Sequence, residues 1–317
     1  MTDDVLESEL RFEILGPMNI RSGGNHVDLG PPRQRALLAV LLINVGRVVP
    51  LTSIIQAVWG QNPPRQVTGT LQAYVSRLRK VLRHHDRSVR LTHHLHGYLL
   101  QADAQSVDAV VFEAKARNCR KLLEGGDPGA ARSGAWSALE LWKGKPLEEL
   151  CDYEFAVMEA DRLGQVRLRA LDVWAQACLQ LGAYDEVTIQ LGEELRRDPA
   201  LERLGGQLML AQYHSGQPAE ALQTYERIRI AVAKDLGADL SRELQALHGK
   251  ILRQDLADLP VPGSPSRPAA PSQAPAAQAP TAQAPASQTP PTPGPPTPAP
   301  ATPAPAAPGP PVPPAPQ

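Results

Sequence analysis

The hydrophobic period of this chain changes twice within its first hundred residues, and few folds accommodate that order. In LRFEILGPMNIRSGGNHVDLG, apolar residues alternate in short runs (Leu10–Leu15, Met18–Arg21, His26–Leu29). Gly-Pro and Gly-Gly-Asn break the runs, the mark of a small antiparallel sheet. The period then lengthens. Pro31 and Pro32 stand where the first turn of a helix tolerates proline, the helix runs to about Val45, and Gly46 stops it. LTSIIQAVWG (Leu51–Gly60) is a second short helix, and a third spans roughly Arg65 to Arg83. VRLTHHLHGYLLQAD returns to alternation as two short strands around a His-His-Leu-His-Gly tip. Sheet, three helices and hairpin in that order predict a winged helix-turn-helix, an α+β module over residues 10–102, behind an acidic start over residues 1–9.

The third helix carries the clearest chemistry. In TLQAYVSRLRKVL, Leu71, Tyr74, Val75, Leu78, Val81 and Leu82 fall on one face at helical spacing. The opposite face bears Gln72, Ser76, Arg79, Lys80 and Arg83, with Arg77 at its edge and no acid. A surface helix ordinarily interleaves signs, because i,i+4 pairs of opposite charge support it. A helix that enters the major groove of DNA needs the reverse: an apolar anchor, and donors and acceptors on an acid-free side. Gly69 and Ala73 keep that side low, and Arg65 extends it toward the N-terminus. Arg33 and Arg35 at the start of the first helix, with Thr70 and Arg77, are expected to meet phosphates, which position a protein without specifying sequence. His93 and His94 at the hairpin tip are expected over the flanking backbone or minor groove.

Charge separates this module from the rest of the chain. From Leu10 to Gln101 there are 12 Arg and Lys against 3 acids; from Ala102 to Leu259 there are 19 against 26. The formal net charge of −1 hides this asymmetry, which gives the first module alone the character of a polyanion binder.

Beyond Val107 the pattern is wholly helical. LQLGAYDEV from Leu179 and YHSGQPAEA from Tyr213 align with Gly182 and Gly216 at the tetratricopeptide period of about 34 residues. Ala211, Ala221 and Tyr225 fill packing positions, and CRKLLEGGDPGAARSGAWSALELW is a further helix hairpin. Six or seven stacked helices are expected over residues 103–258, with Trp136, Trp142 and Trp174 in the core. The segment from Pro260 to Gln317 differs again: 23 of its 58 residues are proline and Arg267 is its one charge. With so little to bury, a disordered polyproline-rich tail over residues 259–317 is expected. The predicted fold class is therefore mainly α: a winged helix, an all-α tetratricopeptide-like domain and a disordered tail.

Several function classes find no support. There is no phosphate loop, dinucleotide fingerprint, zinc-protease motif or nucleophile elbow, so no catalytic residue, cofactor or enzyme activity is predicted. The wing histidines lack a cysteine partner and a standard ligand spacing, so no metal is expected. Cys119, Cys151 and Cys178 are widely spaced and read as small buried residues of a reducing compartment. The N-terminus lacks the basic and apolar regions of a signal peptide, and the longest apolar run, ALLAVLLINV, is too short to span a bilayer. A cytoplasmic, nucleoid-associated protein with no membrane partner is expected. The competing reading is a helical-repeat adaptor whose basic module binds acidic protein partners.

LGPPRQRALLAVLLINVGRVVPLTSIIQAVWG, PPRQVTGTLQAYVSRLRKVL and GYLL together resemble an OmpR-type winged helix. VDAVVFEAKARNCRKLLEGG and LMLAQYHSGQPAEALQTYERI resemble a bacterial transcriptional activation domain. The combination is similar to the Streptomyces antibiotic regulatory protein family. That resemblance implies a pathway-specific activator of secondary-metabolite genes. It implies binding to double-stranded DNA at promoter direct repeats as paired protomers, and recruitment of RNA polymerase through its sigma and alpha subunits. Gln72, Ser76, Arg77, Arg79 and Lys80 match the family's recognition-helix positions. The THHLHGY wing departs from the family's usual turn.

Overall fold

The computed structural model describes residues 9–255. Most of the acidic start, and the whole of the segment expected to be a disordered tail, lie outside the described residues.

Strands β1 (Leu10–Glu13), β2 (Asn19–Ser22) and β3 (Asn25–His26) form an antiparallel sheet in that order. Its register, Leu10 opposite Ser22 and Phe12 opposite Ile20, turns Leu10, Phe12 and Ile20 inward together. Helix α1 (Pro32–Ile43) comes next, buried without interruption from Ala36 to Leu42, which makes it the central helix of the module. Helices α2 (Leu51–Trp59) and α3 (Val67–His85) pack around it. Strand β4 (Val48–Pro50) lies between α1 and α2 and pairs with β6 (Gly97–Gln101), which pairs in turn with β5 (Arg90–His94). Strand β4 is not expected from sequence, because three residues ending in proline carry no readable period. An edge position tolerates that proline. Gly97 is required opposite it: a Cβ there would run into the Val49 carbonyl and lie 2.9 Å from Pro50 Cα.

The helical half comprises α4 (Asp108–Glu124), α5 (Pro128–Leu139), α6 (Glu154–Gln180), α7 (Tyr184–Arg197), α8 (Glu202–His214), α9 (Pro218–Leu236) and α10 (Arg242–Arg253). Each packs on the next in the chain, and α4, α6, α8 and α10 also touch in series, the contact pattern of a tetratricopeptide-like stack. Gly182 and Gly216 each take a positive φ between paired helices, as the repeat requires. Ala211 and Ala221 are fully buried, where their small side chains bring neighbouring helices close. Trp174 is buried but Trp136 remains 36% exposed, against expectation, its ring tilted on that of Trp174 and its indole N–H donated to Glu140. Cys119 and Cys178 are buried, whereas Cys151 is exposed, so one of the three expected core cysteines is a surface residue.

The two halves share a core. One cluster of buried residues runs from Leu10 through α1, α2 and α3 into Val107, Phe112, Leu150 and Leu163 of the helical half. A polar clasp reinforces the junction. The Asp108 carboxylate, at the first turn of α4, accepts N–H groups from Ile14 and Leu15 after β1, at 2.9 and 3.0 Å, and from Ala109. Glu149 accepts the Met18 N–H at 2.8 Å, and the Lys143 and Leu147 N–H groups donate back to the carbonyls of Leu15 and Gly16. These backbone groups, drawn out of water at the turn after β1, thereby find partners in the other half.

Candidate nucleic-acid interface

Helix α3 presents its faces as its period requires. Leu71, Val75, Leu78 and Leu82 are buried, while Gln72, Ala73, Ser76, Arg77, Lys80 and Arg83 are exposed. No acid occupies the helix, and Arg83, His84 and His85 in its last turn complement the negative end of its dipole. Asp86, which ends the helix, is turned away. Burial pushes its carboxyl up, but hydrogen bonds from the Ser88 hydroxyl and N–H and from the Leu10 N–H hold it below its ordinary value. Those bonds occupy the acid that follows the helix and tie it to β1, while Asp28, before α1, lines a groove with Ser76, Arg79, Lys80 and Arg83.

Some predicted residues sit elsewhere than expected. Helix α3 begins at Val67, so Arg65 is an exposed residue of the preceding turn rather than part of the helix. The Thr70 hydroxyl donates to the Gln66 carbonyl at 3.2 Å and closes the first turn. Arg79 is only half exposed: its Nε donates to the Leu91 carbonyl at 2.7 Å and ties α3 to β5. His93 and His94 are not at the hairpin tip. They are the last residues of β5, opposite Tyr98 and Gly97, and the turn itself is Leu95 and His96. Strand alternation then separates them. His93 lies edge-on to the Tyr98 ring at 5.1 Å, whereas His94 shares the other face with Arg90 and Thr92.

Arg33 is exposed at the start of α1, and Arg35 is half-buried with its Nε shielded from solvent. Both lie near Tyr153 of the helical half. Burial raises the Tyr153 hydroxyl, and the positive charge of Arg33 and Arg35 partly offsets this. Tyr74 of α3 belongs to the same neighbourhood. Helix geometry places Tyr74 and Arg79 on different flanks of α3. The arginines of α1 are therefore on the side of the module that adjoins the helical half, and Arg79 and Arg83 are on the hairpin side.

Sequence reasoning passes over Arg87 and Arg90. With Arg79, Arg83, Leu91 and Thr92 they line a groove between the last turns of α3 and β5. The signal is present in the alternation of β5, which sets Arg90 beside Thr92. It is obscured because Arg87 falls in a turn with no period. Among the described residues no group of three or more His, Cys, Asp or Glu is disposed to hold a metal ion. No helix of the described chain is long and apolar enough to cross a membrane.

A basic winged helix sharing its core with a helical stack defines a class: transcription regulators that join an OmpR-type output module to a helical activator domain. The family model "Transcriptional regulatory protein, C terminal" matches residues 24–100, and "Bacterial transcriptional activator domain" matches residues 107–252. The chain is similar to regulatory protein AfsR of Streptomyces griseus, 35% identical over 246 residues that cover 78% of this chain and 25% of AfsR. It is 32% identical to transcriptional regulatory protein MoaR1 of Mycobacterium tuberculosis over 248 residues, 77% of this chain and 80% of that one. The solved structure of Mycobacterium tuberculosis EmbR, in complex with a low affinity phosphopeptide, has a TM-score of 0.74 at 33% identity. It covers 78% of this chain and 66% of EmbR. The chain belongs to the Streptomyces antibiotic regulatory protein family, and it spans about a quarter of the length of AfsR. The matched families and relatives are transcription regulators, not enzymes.

Proposed function

We propose that this protein is a sequence-specific DNA-binding transcriptional activator that controls a secondary-metabolite, antibiotic-type gene cluster from promoter direct repeats. The observation that carries the reading is the exposed polar face of α3, which bears no acid of its own and is anchored by the buried Leu71, Val75, Leu78 and Leu82. In this reading Gln72, Ser76, Arg77 and Lys80 face the major groove, where amide, hydroxyl and guanidinium groups discriminate base edges. Arg83, Thr70 and Arg65 approach phosphates. Arg79 contributes through the wing that it braces, and His94 accompanies the wing into the flanking groove. Arg33, Arg35 and His93 are the peripheral members, near the junction or over Tyr98.

The helical half, over residues 103–258, is the surface for RNA polymerase, through its sigma and alpha subunits, and a second protomer binds the adjoining repeat. The module of residues 10–102 and the helical half then act as one lever, because the core and the Asp108 clasp are continuous between them. Footprinting of the purified protein on the promoters beside its own gene tests the proposal. A specific binder prefers the protected duplex to a scrambled one by roughly 10³ or more, with both affinities falling steeply in salt. Equal affinity for the two duplexes at every salt concentration would refute it.

A further inference from the structure

Resting on that reading, we infer that the groove between α3 and β5 is a phosphate clamp, and that Arg83, Arg87 and Arg90 hold the DNA strand passing between the recognition helix and the wing. The residues come from three elements: Arg79 and Arg83 from α3, Arg87 from the connecting turn, and Arg90 and Thr92 from β5. Leu91 completes the lining. No carboxylate contributes to it, and among the described residues none of these four arginines lies within ion-pair distance of an acid. Elsewhere in the chain arginines are commonly paired, as Arg132 is with Glu186 and Arg167 with Glu194. Four unpaired guanidinium groups in one groove repel one another unless an anion joins them. Of the acids in the neighbourhood, Asp86 is occupied by Ser88 and Leu10, and Asp28, which lines an adjoining groove with Arg79 and Arg83, makes no ion pair with them and accepts the Gly30 N–H at 2.8 Å. Arg79 is already committed through Nε to Leu91, so it braces the wall rather than supplying a free fork.

The geometry of B-DNA supplies the ligand. A helix in the major groove and a hairpin over the adjacent minor groove are separated by a single sugar-phosphate strand. That strand has to pass between α3 and β5. A row of arginines with no acid at that place fits successive phosphodiesters, and it carries no base information. The clamp would therefore set affinity and register, leaving sequence preference to Gln72, Ser76, Arg77 and Lys80.

The test is the salt dependence of binding by the full chain. The probes are the footprinted duplex and a mixed-sequence duplex of about 30 base pairs, with each phosphate contact contributing about 0.9 to the slope of log K against log salt. Arg87→Ala with Arg90→Ala should lower the slope by nearly 2 on both duplexes and leave the ratio of the two affinities unchanged. Arg87→Lys with Arg90→Lys should restore the slope, because a phosphate registers charge more than fork geometry. Gln72→Ala should do the reverse, changing the ratio and not the slope. Both arginines are exposed, so the variants should keep the native circular dichroism. A wild-type protein that binds specifically, and an alanine pair with the wild-type slope, would overturn the clamp while leaving the proposed function intact. A wild-type protein that binds neither duplex would overturn both. If inorganic triphosphate binds the wild type and not the alanine pair while the DNA slope is unchanged, the groove is a small-anion site and the inference fails.

Discussion

Asp108 offers the sharpest physical test of how the two halves are joined. Its carboxyl is pushed up to about 6 from an ordinary 3.8, chiefly by burial, against the pull of the N–H groups of Leu15, Ile14 and Ala109. The nearby Glu13 adds to the rise. In the unfolded chain the group ionises near 3.8, so between the two values the folded state binds the extra proton. Stability from this group is fully present below about pH 4 and is lost as pH rises toward and through 6. The complete transition, about 2.2 pH units at 1.36 kcal/mol each, is worth about 3 kcal/mol. Asp108→Asn keeps the shape and cannot ionise. Urea unfolding of wild type and variant from about pH 4.5 to about pH 7.5 should show wild type losing about 2 kcal/mol relative to the variant, since part of the titration lies below that window. Titrating groups that do not interact with Asp108 are common to both proteins and cancel in the difference. Parallel stability curves would refute the claim of a desolvated carboxyl. A wild type that gains on the variant as pH rises would mean that the backbone donors outweigh burial and hold the group ionised. Asp108→Ala adds a separate measure, because it strands the Ile14 and Leu15 N–H groups inside the junction. At about 1–3 kcal/mol per unsatisfied donor it should cost about 2–6 kcal/mol at about pH 4.5, and the difference from wild type should narrow by about 2 kcal/mol toward about pH 7.5, because alanine does not ionise either.

Gly97→Ala should push β4 off β6 and destabilise the chain by about 1–3 kcal/mol or more, read as a lowered denaturation midpoint; no change would mean that β4 is not paired as described. Of the three cysteines, Cys151 alone should react with a thiol reagent in the native protein, because burial pushes the Cys119 thiol up and holds that of Cys178 at about 12; rapid titration of a second thiol would contradict the core of the helical half. Lys80→Ala should weaken specific DNA binding, by about 1–3 kcal/mol if it contacts a base, and unaltered affinity on the footprinted duplex would remove Lys80 from the interface. Glu194→Gln should destabilise the α6–α7 pairing, because it breaks the two-point contact with Arg167 at 2.8 and 2.9 Å, in which Arg167 holds the Glu194 carboxyl below its ordinary value. The shortfall against wild type should shrink as pH falls through the depressed Glu194 value, where wild type loses the charge as well.

Legibility in the sequence divides by the range over which the physics acts. Helices α1, α2 and α3 announce themselves locally: Pro31 and Pro32 fix a start, Gly46 fixes a stop, and Leu71, Val75, Leu78 and Leu82 write the period of a buried face. Gly182 and Gly216 likewise expose the stacking repeat, because a left-handed turn between helices asks for glycine whatever surrounds it. The misplacements in the winged module mostly involve long-range pairing. Strand β4 exists because β6 offers it an edge, and Gly97 is its condition some fifty residues away. His93 and His94 belong to a strand instead of a tip because Tyr98 and Gly97 extend the ladder to them. Arg79 lies on the polar arc by helical geometry, yet it is drawn to the Leu91 carbonyl by a strand that no helical wheel includes. The same reasoning explains why the junction is invisible in the sequence. Asp108 reads as an ordinary acid in the first turn of a helix, and only the fold brings Ile14 and Leu15 within its reach. The division has a functional consequence. The residues proposed to read DNA are legible because their helix is, whereas those that set its angle to the wing and couple it to the helical half (Arg79, Gly97, Asp108) are tertiary. A substitution among these three should therefore alter affinity or activation without touching a base-reading side chain.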